Sequence, residues 1–272
     1  MAERPDIVVV SNPTALHVPV ALAAVRAGAH VLIEKPISNS LDGCELLGRE
    51  ALGRSRVVKV AMNMRFHPVL RQAQSIIAQQ RLGRPLLGQA HFGSYLPDWH
   101  PWEDYLKSYA ARRDLGGGAA LTHIHEMDYM LWLLGAADDA HGFASRRSPL
   151  GTEVDEACGL VILHTSGAVS TITLSLAQKP ASRRVEIFCD HGCLSLDLIE
   201  HSWSLQPTNG DAESGSADGV FQVDETYRIQ ASTFLEVVRT GVDSGMLPGI
   251  EEACAALRVS LSVNRDDRKA HD

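Results

Sequence analysis

The sequence contains no apolar run of the roughly 20 residues that a membrane-spanning helix needs. It has no cluster of lysine and arginine, and its net charge is −8, so nucleic acid is not expected as the main partner. The five cysteines are odd in number and scattered, which favours reduced thiols. Residues 1–4 lead directly into an apolar strand without a signal peptide. These absences predict a cytoplasmic protein without a membrane partner.

A strand–helix–strand pattern occupies residues 5–37. Ile7–Val10 is a short run rich in β-branched residues, which is typical of a strand buried in a parallel sheet. The next helix is predicted to begin near Val18 and end at Gly28, and Val31–Ile33 predicts a second buried strand. So short a unit implies a right-handed parallel crossover, and ligands of such sheets bind beyond the carboxyl ends of the strands.

Polar residues follow both strands. They are Ser11, Asn12, Thr14 and His17 after the first strand, and Glu34 and Lys35 after the second. Hydroxyl and backbone donors near a helix start suit a phosphate or a ribose, so we predict that these residues bind a dinucleotide cofactor. A purely turn-forming role stays open for Asn12 and Thr14. Lys35, held by the following proline, is the leading candidate for a catalytic residue, the alternative being an ordinary surface lysine.

Residues 11–36 resemble the central motif of the Gfo/Idh/MocA oxidoreductase family, named for glucose-fructose oxidoreductase and inositol dehydrogenase. Four further segments resemble the same family: the N-x-R-F-x-P junction at 63–68, the segment 94–99, the triple glycine 116–118 with 125–129, and a closing helix at 234–241. The resemblance therefore extends over almost the whole chain. It implies an α/β, Rossmann-type parallel sheet followed by an α+β domain with an open, mainly antiparallel sheet flanked by helices.

The resemblance implies NAD or NADP as the cofactor, and a secondary alcohol of a sugar, nucleotide-sugar or cyclitol as the substrate. Lys35 would contact both the nicotinamide ribose and the substrate hydroxyl, and the Lys35–Pro36 peptide is often cis in the family. His125 would take the alcohol proton while hydride leaves the carbon, a task for a base of near-neutral pKa. Thr122 stands where the family usually has an aspartate, and it can hydrogen-bond a substrate but cannot ionise.

Candidate substrate-binding residues are Arg65, Tyr95, Trp99 and His123, of which the last is also a candidate substitute for the missing aspartate. Other roles stay open: a cap or core position for His125, a core or surface-pair role for Arg65 and Tyr95, and domain packing for Trp99. The histidines could also be a metal cluster with Glu126 and Asp128. Only His125 and Asp128 would share a helix face, however, so no metal is predicted.

We predict two domains: the second half of a Rossmann-type domain at residues 1–62 and a substrate and oligomerisation domain at 63–272. Strand-like runs separated by turns between 159 and 198 predict antiparallel hairpins. A polar loop is predicted at 208–219, and closing helices are predicted at 226–239 and 251–264. Members of the resembled family often dimerise or tetramerise through their antiparallel sheet, which implies a homo-oligomer here.

The resemblance also marks what is missing, because no G-x-G-x-x-G turn and no ribose-binding acidic residue precede Ile7. Three explanations are open: the natural protein begins upstream of Met1, a partner chain supplies the missing half, or the chain is an inactive remnant or binding module. We expect the first, because the remaining motifs are intact apart from Thr122. A metal-dependent lyase or hydrolase on the same scaffold is a further alternative, and it would need the histidine cluster to bind metal.

Overall fold

The computed structural model describes residues 4–217, 219 and 221–264. Residues 1–3 of the predicted start, and residue 218 of the predicted polar loop, lie outside the described residues. The α-helices are α1 His17–Arg26, α2 Cys44–Gly53, α3 Pro68–Ala78, α4 Ala119–Thr122, α5 His125–Leu134, α6 Asp224–Thr240 and α7 Ile250–Leu261. The strands are β1 Ile7–Val10, β2 His30–Glu34, β3 Val58–Ala61, β4 Pro85–Tyr95, β5 Ala137–Ala144, β6 Ala157–His164, β7 Val169–Ser175, β8 Ala177–Cys189, β9 Gly192–Asp197, β10 Ser202–Pro207, β11 Glu213–Ser216 and β12 Val263–Asn264.

Strands β1, β2 and β3 form a small parallel sheet in which β2 lies in the centre. Val31 and Ile33 of β2 have no exposed surface and pack in the main core with Val18 of α1. Leu32, on the opposite face, packs in a second cluster with Phe234 of α6. Because the central strand is buried on both faces, its sequence is continuously apolar rather than alternating. The predicted strand–helix–strand unit is confirmed.

The second sheet has nine strands in the order β11-β10-β9-β8-β4-β7-β6-β5-β12. Its neighbours pair antiparallel, apart from the parallel pairs β4–β7 and β12–β5. Helices α3, α4, α5 and α7 contact this sheet. In β6 the side chains of Leu160 and Ile162 are buried, whereas Val161 and Leu163 are 48% and 41% exposed. The sheet therefore has one covered face and one open face, and the predicted fold class is confirmed.

Two local predictions differ from the structure. The predicted polar loop contains a strand, β11, which pairs with β10. Such pairing uses backbone groups and needs no apolar side chains, so the hydrophobic pattern gave no signal for it. The last helix ends at Leu261 rather than at residue 264, because Val263 and Asn264 pair with β5 instead. The predicted domain boundary after residue 62 stays a prediction.

A buried ion pair fixes the segment that follows the parallel sheet. Arg65 donates from Nε and Nη2 to the two carboxylate oxygens of Asp128 on α5, at 2.9 and 2.8 Å. Both side chains are almost fully buried, at 3% and 2% exposed. A third donor, Arg65 Nη1, lies 3.3 Å from Glu252 of α7. One arginine therefore joins this segment to two helices of the second sheet's covered face.

Candidate functional site

Glu34 ends β2 and Lys35 follows it, and the lysine side chain reaches the short helix α4. Lys35 Nζ donates a hydrogen bond of 2.8 Å to the backbone oxygen of Thr122, the last residue of α4. The Lys35–Pro36 peptide is cis, as the resemblance implies. The structure thus brings together two of the residues predicted to be catalytic, although they lie 87 positions apart in the sequence.

His17 joins the ends of the first two strands. Its Nδ1 lies 2.7 Å from the carbonyl oxygen of Pro36, and its Nε2 lies 2.7 Å from the carbonyl oxygen of Asn12. A carbonyl oxygen only accepts hydrogen bonds, so a ring nitrogen that carries hydrogen donates to the oxygen beside it. His17 is 1% exposed. Its observed contacts therefore hold the strand ends together, while direct cofactor binding by this residue stays a prediction.

The loop after β1 packs against the triple glycine. Gly116 has a φ of +84°, and a Cβ added there would lie 2.9 Å from Cβ of Thr14, so this position requires glycine. Thr14 itself is buried. Asn12 directs a buried Oδ1 that has no hydrogen-bond partner among the described residues, whereas Ser11 is exposed. An unpaired buried acceptor is the feature that a ligand hydroxyl would satisfy.

Unpaired polar atoms are concentrated where α4 meets α5. Within the described chain, the buried side-chain atoms without a hydrogen-bond partner include Thr122 Oγ1, His123 Nε2, His125 Nδ1, Glu126 Oε2 and Arg183 Nη2. Buried polar groups are normally paired, so a group of orphaned atoms of this kind needs an explanation. His125 begins α5 and is 8% exposed, and its Nδ1 is one of these unpaired atoms. These unpaired atoms mark a candidate polar binding site.

Electrostatics keep the histidines of this site neutral. Burial lowers the pKa of His125 well below its usual value, and the charges of Lys35 and Arg183 lower it further. The pKa of His123 is lowered by the same three causes. Burial also lowers the pKa of Lys35, with Arg183 acting in the same direction and Glu34 and Glu126 opposing. A neutral imidazole can accept a proton, but an imidazole whose pKa is lowered in this way is a weaker base than the near-neutral one that the sequence predicted.

Sequence reasoning did not identify Arg183 as a site residue, and it considered Glu126 only as a metal ligand. Arg183 Nε donates to Glu126 Oε1 at 2.8 Å, and its guanidinium carbon lies 4.4 Å from the centre of the Phe92 ring. Tyr129 donates to the same carboxylate oxygen at 3.2 Å. Glu126 has no exposed surface, so it positions Arg183 rather than meeting solvent. The sequence gives no sign that Arg183 of β8 lies beside Glu126 of α5, because this contact depends on the order of the strands in the sheet.

Two tyrosines, also absent from the predicted set, lie near Glu34. Burial raises the pKa of Tyr109, and the charge of Glu34 raises it further. The same two causes raise the pKa of Tyr227, which is 48% exposed on α6. Both phenols are therefore within electrostatic reach of Glu34 at the end of β2. Tyr109 lies in the irregular segment between β4 and α4, and Tyr227 lies on α6 with nothing to distinguish it from other residues of a surface helix.

The remaining predicted residues have these positions. The nitrogens of Arg65 are occupied by the ion pairs described above. The ring of Tyr95 lies 5.3 Å below Lys179 Nζ. The Trp99 and Phe92 rings flank His123, with centroids 5.7 and 4.3 Å from its own. Their roles in substrate binding stay predictions.

Among the described residues, no group of three or more histidine, cysteine, aspartate or glutamate side chains is placed to hold a metal ion. No helix of the described chain is long and apolar enough to cross a membrane.

Two models of one protein family match the chain. The model described as "Oxidoreductase family, NAD-binding Rossmann fold" matches residues 1–62. The model described as "GFO/IDH/MocA C-terminal domain" matches residues 70–195. Together they extend over most of the sequence, and they divide it between the parallel sheet and the larger sheet.

Individual relatives include dehydrogenases and reductases of small carbohydrates. The chain is 31% identical to levoglucosan dehydrogenase of Pseudarthrobacter phenanthrenivorans over 49% of its own length and 34% of that protein. It is 28% identical to 1,5-anhydro-D-fructose reductase of Ensifer adhaerens over 80% of its length and 63% of that protein. The matches thus extend over about one third to two thirds of the relatives' lengths.

Solved structures show the same fold. Levoglucosan dehydrogenase in complex with NADH and levoglucosan superposes with a TM-score of 0.84 at 18% identity. The superposition covers 95% of this chain and 76% of that one. An identity this low establishes the fold, while the chemistry of the site has to be argued from its own residues.

Proposed function

The chain belongs to the GFO/IDH/MocA family of oxidoreductases, and from this premise we propose that it carries the substrate-converting part of an NAD(P)-dependent dehydrogenase. The substrate would be a secondary alcohol of a sugar, nucleotide-sugar or cyclitol. The observation that carries the proposal is the hydrogen bond between Lys35 Nζ and the backbone of Thr122. It places a lysine from the carboxyl end of a parallel strand against Thr122, which lies three residues before the neutral His125 in the sequence.

The proposed roles follow from the state of each group. Lys35 donates a hydrogen bond to the substrate oxygen and polarises it, and its lowered pKa lets it release a proton readily. His125, kept neutral by burial and by nearby positive charge, accepts the proton of the alcohol on its imidazole ring. Thr122 holds Lys35 through its carbonyl oxygen and has a free Oγ1 for a substrate hydroxyl. Holding the reacting oxygen between these groups is the positioning that lowers the barrier.

A nicotinamide cofactor, when bound, would exchange hydride with the carbinol carbon. The residues that would hold it lie at the carboxyl ends of β1 and β2, where ligands of parallel sheets bind. Asn12 offers an unpaired buried acceptor that suits a ribose hydroxyl, and the Glu34 carboxylate lies beside Lys35. Thr14 and Ser11 contribute hydroxyls on the same loop. This donor and acceptor set fits the proposed cofactor.

A titration of NADH, and separately of NADPH, into the folded 272-residue chain tests the proposal. We expect enhanced cofactor fluorescence with a dissociation constant in the micromolar range, which is usual for such ligands. Circular dichroism establishes beforehand that the chain is folded. If a folded chain binds neither cofactor, the proposal fails for the chain as it stands and a non-catalytic binding module becomes the better description.

We further propose that the protein is a cytoplasmic homo-oligomer that associates through the open face of its larger sheet. Exposed apolar side chains on that face, Val161 and Leu163 among them, support this proposal. The five cysteines form no disulfide with one another, which agrees with a reducing compartment. Light scattering after size exclusion should give a dimer or tetramer, and a Val161→Lys variant should shift it towards the monomer; a monomeric wild type would contradict the proposal.

A further inference from the structure

Arg183 lies on β8, where its direct partner on the neighbouring strand β4 is Phe92. Residues paired directly across two antiparallel strands project from the same face of the sheet. The pair two residues further on, Ala90 with Val185, is buried on the covered face. Because side chains alternate along a strand, Arg183 also projects from the covered face, whereas Arg184 projects from the open face and is 69% exposed.

Contacts from three different parts of the chain hold the guanidinium group of Arg183. Its Nε donates to Glu126 Oε1 of α5 at 2.8 Å. Its Nη1 donates to Met64 Sδ, in the segment between β3 and α3, at 3.4 Å. Its Cζ lies 4.4 Å from the centre of the Phe92 ring. The position of this charge is therefore fixed by the packing of the larger sheet against α5.

The fixed charge lies beside both histidines of the candidate site. The Phe92 ring contacts the guanidinium group and also the ring of His123, with 4.3 Å between the two ring centres. Glu126, the ion-pair partner of Arg183, directly follows His125 in the sequence. Water screens the charge weakly, because the side chains of Arg183 and Glu126 are only 14% and 0% exposed. The charge therefore acts on both imidazoles.

The imidazoles respond to this charge in one direction. Burial lowers the pKa of His125 first, and the charges of Lys35 and Arg183 lower it further. The neighbouring His123 acts in the same direction on His125. The pKa of His123 is itself lowered by burial and by the same two cations. A protonated imidazole would lie close to two other cations, so the neutral form is favoured.

We propose that Arg183 is a positioning residue of the candidate site, whose fixed charge keeps the imidazole of His125 free of a proton and so able to accept one from the alcohol. The proposal rests on the proposed function for the role of His125. The role assigned to Arg183 involves no contact with the reacting atoms. The same charge acts on His123, so its effect does not depend on which of the two imidazoles is the base. At low pH the charge keeps more of the base in its neutral form, although it also makes the imidazole a weaker base.

Two variants that differ only at Arg183 test the proposal. Glu126→Gln removes the carboxylate charge but keeps an oxygen that can accept from Arg183 Nε and from the hydroxyl of Tyr129. Arg183→Met combined with Glu126→Gln removes both charges, so neither is left buried without its partner. Nuclear magnetic resonance titration of the histidine side chains follows the protonation of His123 and His125 without any cofactor or substrate.

We expect both imidazoles to take up a proton at a pH about one unit higher in the double variant than in Glu126→Gln, because a nearby positive charge is missing. Arg183→Lys keeps the charge and should leave the titration midpoints close to those of the wild type. Arg183→Gln keeps an amide donor for Glu126 and should raise the midpoints relative to the wild type, which covers the case in which the double variant does not fold.

Arg184→Met is the matched control, because Arg184 is the next residue of β8 but pairs with Asp197 on the open face. It should leave both midpoints unchanged. Midpoints that are equal in Glu126→Gln and in the double variant overturn the proposal. So does a rise in Arg183→Lys or in Arg184→Met as large as that in Arg183→Gln, because the effect would then not come from the charge of Arg183.

The pH profile of kcat/KM separates this proposal from the proposed function. Relative to Glu126→Gln, the double variant should show its acidic limb at higher pH. Well below the midpoint its kcat/KM should therefore be about tenfold lower, while the plateau stays within about threefold. An active enzyme whose histidine midpoints do not differ between the two variants refutes only the role of Arg183. A chain whose midpoints shift as expected but which has no dehydrogenase activity refutes only the proposed function.

Discussion

Replacing Arg65 with methionine is expected to lower the free energy of unfolding by about 3–5 kcal/mol. The substitution keeps an unbranched side chain of similar length but leaves the carboxylate of Asp128 buried and unpaired. Burial already raises the pKa of Asp128, and the Arg65 charge is what opposes this effect. Without Arg65, Asp128 must either take up a proton or remain charged without a partner. Urea denaturation followed by circular dichroism measures the loss.

An exposed ion pair provides the matched control. Arg239 contacts Glu236 at 2.7 Å, but the two side chains are 73% and 57% exposed, so Arg239→Met should cost less than about 1 kcal/mol. The double variant Arg65→Met with Asp128→Asn should lose less stability than the sum of the single variants, because no unpaired charge remains. An Arg65→Met variant that is as stable as Arg239→Met would show that the buried pair contributes nothing beyond its surroundings.

The parts of the fold that the sequence predicts well are those in which burial dictates residue type. Val31–Ile33 is apolar throughout because helices cover both faces of β2. Strand β11 was missed because it pairs through its backbone and its side chains are polar. The end of α7 was missed for a related reason, since Val263 and Asn264 leave the helix to pair with β5. Such pairings depend on which strand lies nearby, and a local pattern carries no information about that.

The candidate site likewise contains some residues that the sequence predicts and others that it does not. Lys35 and His125 were predicted because each belongs to a local motif, a strand end before proline and a helix start after the triple glycine. Arg183 was not predicted, because its partner Glu126 lies 57 positions away and neither residue has a distinctive neighbourhood. Tyr227 was missed because a tyrosine on a surface helix is ordinary until that helix is placed beside β2. Long-range pairs of this kind require the three-dimensional arrangement of the sheets.

The candidate site contains two cations, Lys35 and Arg183, and two carboxylates, Glu34 and Glu126. These four groups contact one another or influence one another electrostatically. Arg183 pairs with Glu126, while Lys35 interacts with Glu34. A site with this balance has no excess charge to attract an anionic substrate, which favours a sugar or a cyclitol over a nucleotide-sugar among the proposed substrates. It also keeps His125 in a positive field, since both cations lower the pKa of that imidazole.

Replacing His125 with glutamine is expected to reduce kcat/KM for alcohol oxidation by about 10²–10⁴-fold, the usual contribution of a general base. Because only the neutral imidazole accepts a proton, the wild-type rate should rise with pH through the pKa of His125. Burial and nearby cations place that pKa below the ordinary value of about 6.5, so activity should persist at lower pH than an unperturbed histidine would allow. The variant should lose this acidic limb of the pH profile.

Lys35→Met should cause a loss of about 10²–10³-fold, because it removes the donor to the reacting oxygen. Lys35 acts while protonated, so wild-type activity should fall as the pH rises through its pKa, which lies below the usual value of about 10.4. The two variants therefore remove opposite limbs of one profile, which a merely structural role for either residue would not do. His141→Gln is the control, because His141 is 79% exposed on β5 and should leave both rate and profile unchanged. Retention of the acidic limb in His125→Gln would assign the base to another group, and His123, buried beside it, would be the first to examine.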